Sequence, residues 1–301
     1  MAAHPRHRSS VVVLLVCAGL VLTGTSCRPP APAVPSTWVA YYGMDAQPEN
    51  LAAYDVVVID PNYPGELAVL KANKAQVLGY ISLGELNDQR PQFAAAKEQG
   101  LLLHENPNWK GAWLADIRKP GWQRLIVDEM AATLVARGFD GLFLDTLDSP
   151  LHLETTDSVR YAGMQKAAES LLAQLHAKFP HARLLMNGAV QLLGPCRQAV
   201  QWVAIESSLT TWNFESKSAR WRTADERAWA LNRLRQAAVE NQQLRVFTLD
   251  YWPTVDVKAV GEIYRVQRAT GFVPYVATIA LDKVVAEPVA VTPITATPVS
   301  H

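Results

Sequence analysis

Residues 120–149 read PGWQRLIVDEMAATLVARGFDGLFLDTLDS. The first part carries helix punctuation: Pro120 suits a first turn, Trp122, Leu125, Ile126, Leu134 and Val135 line one face, and Gly138 suits the C-terminal cap. The second part, Gly141–Asp145, is a continuous apolar run that stops abruptly at two acids, Asp145 and Asp148. A helix that leads into a strand without polar alternation points to a parallel sheet covered by helices.

The alternation extends in both directions. Apolar, β-branched or aromatic runs of strand length occur at Trp38–Tyr42, Val56–Asp60, Val77–Leu83, Gly141–Asp145, Arg183–Asn187, Trp202–Glu206, Leu244–Asp250 and Phe272–Ala277. DSVRYAGMQKAAESLLAQLHAKFP reads as another helix, with Asp157 or Ser158 as N-cap and Pro180 beyond its end, and ADERAWALNRLRQAAVENQQ as a third. Eight strands joined by helices favour an α/β fold of the (β/α)8 TIM-barrel type, one domain over residues 37–283. A doubly wound open sheet is the alternative, because strand number alone does not prove closure.

Six short apolar runs end in acids: Asp60, Glu85, Asp116, Asp145, Glu206 and Asp250. In a parallel barrel such ends gather at one rim, where barrels of this kind do chemistry. A single acid there reads equally well as the N-cap of the next helix. Recurrence at so many strand ends is harder to explain that way. Asp145 and Glu206, ending the fourth and sixth strands, form the candidate catalytic pair. Two converging carboxylates suit glycoside hydrolysis, in which one protonates the leaving oxygen while the other stabilises or attacks the oxocarbenium-like centre. Burial and mutual repulsion would raise the pKa of one of them.

Competing chemistries lack their residues. His104, His152, His176 and His181 fall in expected loops or helices rather than at strand ends, which disfavours a His-based metal site. Neither G-x-S-x-G nor G-x-x-x-x-G-K-[ST] occurs. Asp60, Glu85 and Asp145 as Mg²⁺ or Ca²⁺ ligands is a minor alternative, so neither metal nor cofactor is expected. Lys+Arg 28 against Asp+Glu 28 gives no net charge to attract nucleic acid or an acidic membrane. Tyr63, Trp212, Tyr251 and Trp252 follow expected strands and could stack on sugars, although packing is the commoner role of such rings. Trp122 and Trp229 lie within expected helices and read as core.

The ends read differently. Residues 1–26 carry a basic start (Arg6, Arg8), an apolar Val11–Leu22 run and a small-residue Gly24-Thr25-Ser26 stretch, the pattern of an export signal peptide. The apolar run is too short for a permanent anchor. Cys27 resembles the lipidated cysteine of bacterial lipoproteins, with Gly24 where a Leu is usual. The expected location is therefore a lipid-anchored exported protein, or otherwise a periplasmic or secreted one. Residues 27–36 are a Pro/Ala-rich tether and 284–301 a disordered tail. Cys17 lies in the signal and Cys196 stands alone, so no structural disulfide is expected.

YYG (Tyr41–Gly43), YDVVVIDP (Tyr54–Pro61), VLGYISLGE (Val77–Glu85), DIRKPGW (Asp116–Trp122), GFDGLFLDTLD (Gly138–Asp148), IESS (Ile205–Ser208) and GFVPYV (Gly271–Val276) resemble glycoside hydrolase family 114. These are endo-α-1,4-polygalactosaminidases, and the group includes the hydrolase domain of Pel-polysaccharide proteins. The resemblance spans Trp38 to Lys283. It implies a (β/α)8 barrel, no obligatory cofactor, and endo-cleavage of α-1,4-linked galactosamine-rich polymers.

By this resemblance Asp145 is the nucleophile or charge-stabilising residue and Glu206 the general acid/base. Asp60, Tyr80, Glu85, Arg118, Asn187 and Asp250 fall on positions expected to line the cleft with Tyr251. Arg118 could instead bridge Asp116, and Asp60 could organise the Pro61-Asn62 turn. ATIALD after the eighth strand departs from the family's more polar run. Partly de-acetylated galactosamine polymers are cationic, so an acidic rim on a neutral protein would attract them. The alternative from another class is a non-catalytic exopolysaccharide-binding lipoprotein with the same cleft.

Overall fold

The computed structural model describes residues 34–288. Eight parallel strands follow one another around a barrel in chain order: β1 (Trp38–Tyr41), β2 (Val56–Ile59), β3 (Gln76–Ser82), β4 (Gly141–Asp145), β5 (Arg183–Asn187), β6 (Trp202–Glu206), β7 (Arg245–Tyr251) and β8 (Val273–Ala277). Each is hydrogen-bonded to the next. β8 lies beside β1 without a ladder, and the seam is bridged by Tyr42 N–H donating to the Leu281 carbonyl at 2.7 Å. The barrel is thus nearly closed, and the open sheet is set aside.

Side chains fill the interior. Trp38, fully buried, packs edge-on against Phe247 (5.5 Å between ring centroids) and Tyr275 (6.1 Å), and its indole N–H reaches the Thr248 carbonyl. Strand alternation then places every second residue inward. Phe143 stacks near Tyr80 inside the barrel, so Asp145, two residues on, also points inward. On β7 the interior ring is Phe247, packed on Trp202, and two steps further along that face is Tyr251. Asp250 falls on the opposite face.

Helices cover the outside. The segment from Pro120 to Ala136 is one continuous helical run that widens over Leu125–Met130. Buried Trp122 ties it to the end of β3 by donating to the Leu83 carbonyl at 2.8 Å. Two expectations about helices need correction. The helix after β4 is Asp148–Thr156, which the sequence reading did not separate. The next begins at Met164, because the Asp157 carboxylate closes a turn onto Arg160 N–H, and the start is capped by Glu154, whose carboxylate accepts from Gly163 and Gln165. The third helix, Ala224–Glu240, starts at Thr223 with a reciprocal capping box to Glu226. On it Trp229 is exposed, not core. His104 likewise lies in a short strand rather than a loop or helix.

Two excursions stand on the carboxyl-end rim. After β3 comes an antiparallel sheet of Glu85–Asn87, Ala112–Ala115 and Leu102–Glu105, with Ala112–Ala115 in the middle. After β6 comes a hairpin, Thr210–Asn213 with Ser218–Trp221.

The expected signal, Cys27 and the tether through residue 33 lie outside the described residues, as does the tail from 289. The flanking residues that are described belong to the barrel. Ser36 bonds the Asp55 carboxylate through N–H and hydroxyl, and at the other end Val285 is held between Tyr54 and Tyr275 while Glu287 pairs with Arg268.

Candidate active site

Inward-facing residues at the rim come from six strands. Asp145 Oδ2 accepts from the Tyr80 hydroxyl at 2.7 Å, and Glu206 Oε2 from the Tyr251 hydroxyl at 2.7 Å. Between the two acids stands Asn187, whose Nδ2 donates to Asp145 Oδ1 at 2.9 Å and to Glu206 Oε1 at 2.6 Å. Its carbonyl oxygen is buried without a partner. That orientation follows from electrostatics, since the opposite flip would aim a carbonyl at two carboxylates.

Tyr42, just past β1, completes the ring, packing edge-on against Tyr80 at 5.1 Å. Burial raises its hydroxyl well above the usual range, and the charges of Asp145 and Glu206 add to this. The same holds for Tyr80, through burial and Asp145, and for Tyr251, through burial and Glu206. All three phenols therefore remain neutral donors at working pH. Tyr42 belongs to the YYG motif and is a rim residue that the strand-end acids alone do not reveal. Its signal was the period of two that carries Trp38 and Ala40 inward with it.

Glu206 is reachable by solvent along the cleft yet enclosed by protein on most sides. Burial raises its pKa, and the charge of Asp145 raises it further against the opposing Tyr251 and Asn187 hydrogen bonds. A third acid, Asp148, accepts from Ala189 N–H at 2.9 Å, and its pKa is also raised, chiefly by burial. The chain makes left-handed turns directly after β4, β5 and β6, at Thr146 (φ 66°), Gly188 (φ 62°) and Ser207 (φ 52°). At Gly188 the requirement is double, because a Cβ would lie 2.0 Å from the Asp148 carboxylate.

The six strand-end acids have separate fates. Asp60 stands at the rim but is paired with Arg90 at 2.9 Å and caps Asn62 N–H. Asp116 is bound by Arg118 through two nitrogens, at 2.8 and 3.0 Å, and its carboxyl lies below the usual range even though burial pushes the other way. Arg118 also grips the carbonyls of Arg160 and Ala162, so it braces a loop instead of lining the cleft. Asp250 must likewise be moved out of the cleft. It is fully buried behind β7, accepting from Leu209 N–H, Thr210 N–H and hydroxyl, and the Gln267 amide. Glu85 is buried near the rim and accepts from Asn106 and Ser149.

Among the described residues, Glu85, Asp145, Asp148 and Glu206 have no cationic partner. Among these residues, too, no cluster of three or more His, Cys, Asp or Glu has the arrangement of a metal site. Of the aromatics expected to stack on sugar, Tyr63 is buried and donates to the Ala46 carbonyl, and Trp252 is tied to Asp256. Trp212 is half-buried against the core.

The fold and the rim define the class, a (β/α)8 glycoside hydrolase. The model of glycoside hydrolase family 114 matches residues 22–291, and the chain belongs to that family. The glycoside hydrolase domain of PelA from Pseudomonas aeruginosa superposes with a TM-score of 0.76 at 26% identity, covering 84% of this chain and 99% of that one. Ega3 from Aspergillus fumigatus, solved in complex with galactosamine, shares the fold with a TM-score of 0.61 at 17% identity over 83% of this chain and 94% of its own. An uncharacterised protein of Deinococcus radiodurans is 24% identical over 247 residues, 78% of this chain and 77% of that one. Family membership sets aside the reading of a binding-only protein.

Proposed function

We propose that this chain is an exported, endo-acting hydrolase of α-1,4-linked galactosamine-rich polysaccharide, with Asp145 as nucleophile and Glu206 as general acid/base. The observation that carries the assignment is the Asn187 amide shared by the two carboxylates. Amide protons about 120° apart set the two accepting oxygens about 5 Å from each other, the separation of retaining enzymes. The raised pKa of Glu206 suits a group that must begin protonated.

In the first step Glu206 gives its proton to the glycosidic oxygen as the C1–O bond breaks. Asp145 attacks C1 from the opposite face and forms a glycosyl ester. In the second, Glu206 takes a proton from water, whose oxygen attacks C1 and releases the Asp145 carboxylate. Tyr80 and Tyr251 hold the two acids in position throughout.

Substrate class rests on the family resemblance together with the rim acids Glu85, Asp145 and Asp148, which have no cationic partner among the described residues and favour a polymer bearing ammonium groups. Incubation of purified protein, Asp145→Asn and Glu206→Gln with de-acetylated galactosaminan should release oligosaccharides from the wild type alone. Equal product from all three would remove the assignment. Export and attachment through Cys27 form part of the proposal, resting on the signal pattern. Cys27→Ser should abolish incorporation of labelled fatty acid.

A further inference from the structure

The two rim excursions rise from β3 and β6, on either side of β4 and β5, and they touch. The contact is aromatic: Trp109, in the loop before Ala112–Ala115, meets Phe214, at the hairpin tip, edge to face, with centroids 6.3 Å apart and planes at 89°. Both rings are largely solvent-exposed, 58% for Trp109 and 62% for Phe214. Two large apolar side chains left exposed at one place are unusual for a surface that only has to stay soluble.

Each arm is rigidly rooted below its tip. Asn106, at the base of the Trp109 loop, donates to the rim acid Glu85, and Trp109 N–H closes a turn onto the Asn106 carbonyl. The hairpin is rooted by Thr210 on Asp250 and by Trp221 packed on Trp252 at 5.6 Å. Neither tip is needed to hold its own arm together. No lysine or arginine lies over either ring among the described residues, whereas Trp113, Phe93 and Trp202 each carry one.

We propose that Trp109 and Phe214 form a clasp that holds an extended amino-sugar chain at a subsite beyond the scissile bond. Sugar C–H faces stack on the rings, and a neighbouring ammonium group takes the cation position over an aromatic face. A contact remote from the bond being broken acts on polymer and not on short fragments, since only a long chain reaches both places. The clasp rests on the proposed substrate class, so binding and cleavage are read separately.

Binding is measured with de-acetylated galactosaminan and the inactive Glu206→Gln protein as parent, adding Trp109→Ala, Phe214→Ala or both. Each single change should weaken polymer affinity about five- to tenfold and leave the affinity for a disaccharide unaltered. Because both side chains are exposed, thermal stability should not change. In the active protein the same changes should raise KM for polymer with little effect on kcat. Unchanged polymer affinity in the double variant, or an equal loss for the disaccharide, overturns the clasp. Polymer bound by the parent but not cleaved by the wild type would overturn the proposed activity and leave the clasp standing.

Discussion

Asp145 and Glu206 accept hydrogen bonds from one and the same nitrogen, the Asn187 amide, at 2.9 and 2.6 Å. A third strand thereby fixes the distance between two others. The geometry of the pair is set by β5 as much as by the strands that carry the acids.

Asn187→Ala should therefore cost more than one hydrogen bond. With the bridge gone the two acids are free to move apart, and a misplacement of about 1 Å is worth on the order of 100-fold in rate. We expect kcat to fall by about that factor with KM little altered. Steady-state kinetics on polymer checks it, and a loss confined to KM would assign Asn187 to substrate binding alone.

The retaining mechanism proposed for the pair predicts that the first product of an α-linked polymer carries the α configuration at its new reducing end. Proton NMR recorded in the first minutes, before mutarotation, distinguishes this from the β product of inversion.

Asp148→Asn tests the electrostatics of the pair. The negative charge of Asp148 is one of the influences that raise Glu206, so its removal should move the alkaline limb of kcat/KM to lower pH. Stability should respond as well. Burial raises the Asp148 pKa, so the folded state holds a proton that the unfolded chain gives up. The stability this contributes is complete below the ordinary carboxylate range and is lost as pH rises through the raised value. Compared with wild type, Asp148→Asn should therefore lose less melting temperature between pH 4 and pH 7.

Asp250→Ala is predicted to damage folding, not binding. It would leave the Leu209 and Thr210 N–H groups and the Gln267 amide without an acceptor in a fully buried place, at a cost of about 3 kcal/mol or more. Denaturant titration reads this directly. A variant of wild-type stability but raised KM would return Asp250 to the cleft.

Salt separates charge attraction from shape. If Glu85, Asp145 and Asp148 draw the polymer in, kcat/KM on de-acetylated polymer should fall steeply between low and physiological ionic strength. A fully acetylated polymer should be cleaved more slowly and with little salt dependence. Equal rates and equal insensitivity would refute the electrostatic account.

The strands were legible because buried parallel strands are written as continuous apolar runs, and the Asp145 and Glu206 ends were legible for the same reason. Asp250 misled because a run ending in acid does not say which way the acid points. On β7 the alternation was available: Phe247, Leu249 and Tyr251 share one face and Thr248 and Asp250 the other. That face assignment would have named Tyr251 over Asp250. No such pattern announced Arg90, which neutralises Asp60 from a loop 30 residues away. The Asp157 cap failed for a related reason, since its carboxylate was taken by a turn and Glu154 did the capping from the preceding helix.

By itself the sequence determined the eight strands, the helices between them and the acids that follow several of those strands, and its motifs marked the family. The strands and helices follow from local periodicity, which each segment carries within itself, and the family from the motifs that resemble it. Tertiary structure alone decided which acids are paired, which are buried and which face each other across the rim. Pairing of Asp60 with Arg90, burial of Asp250 behind its strand, the Asn187 bridge and the meeting of Trp109 with Phe214 all join residues far apart in the chain. Charge compensation and burial are properties of the space around a group, and that space is assembled only when the barrel closes.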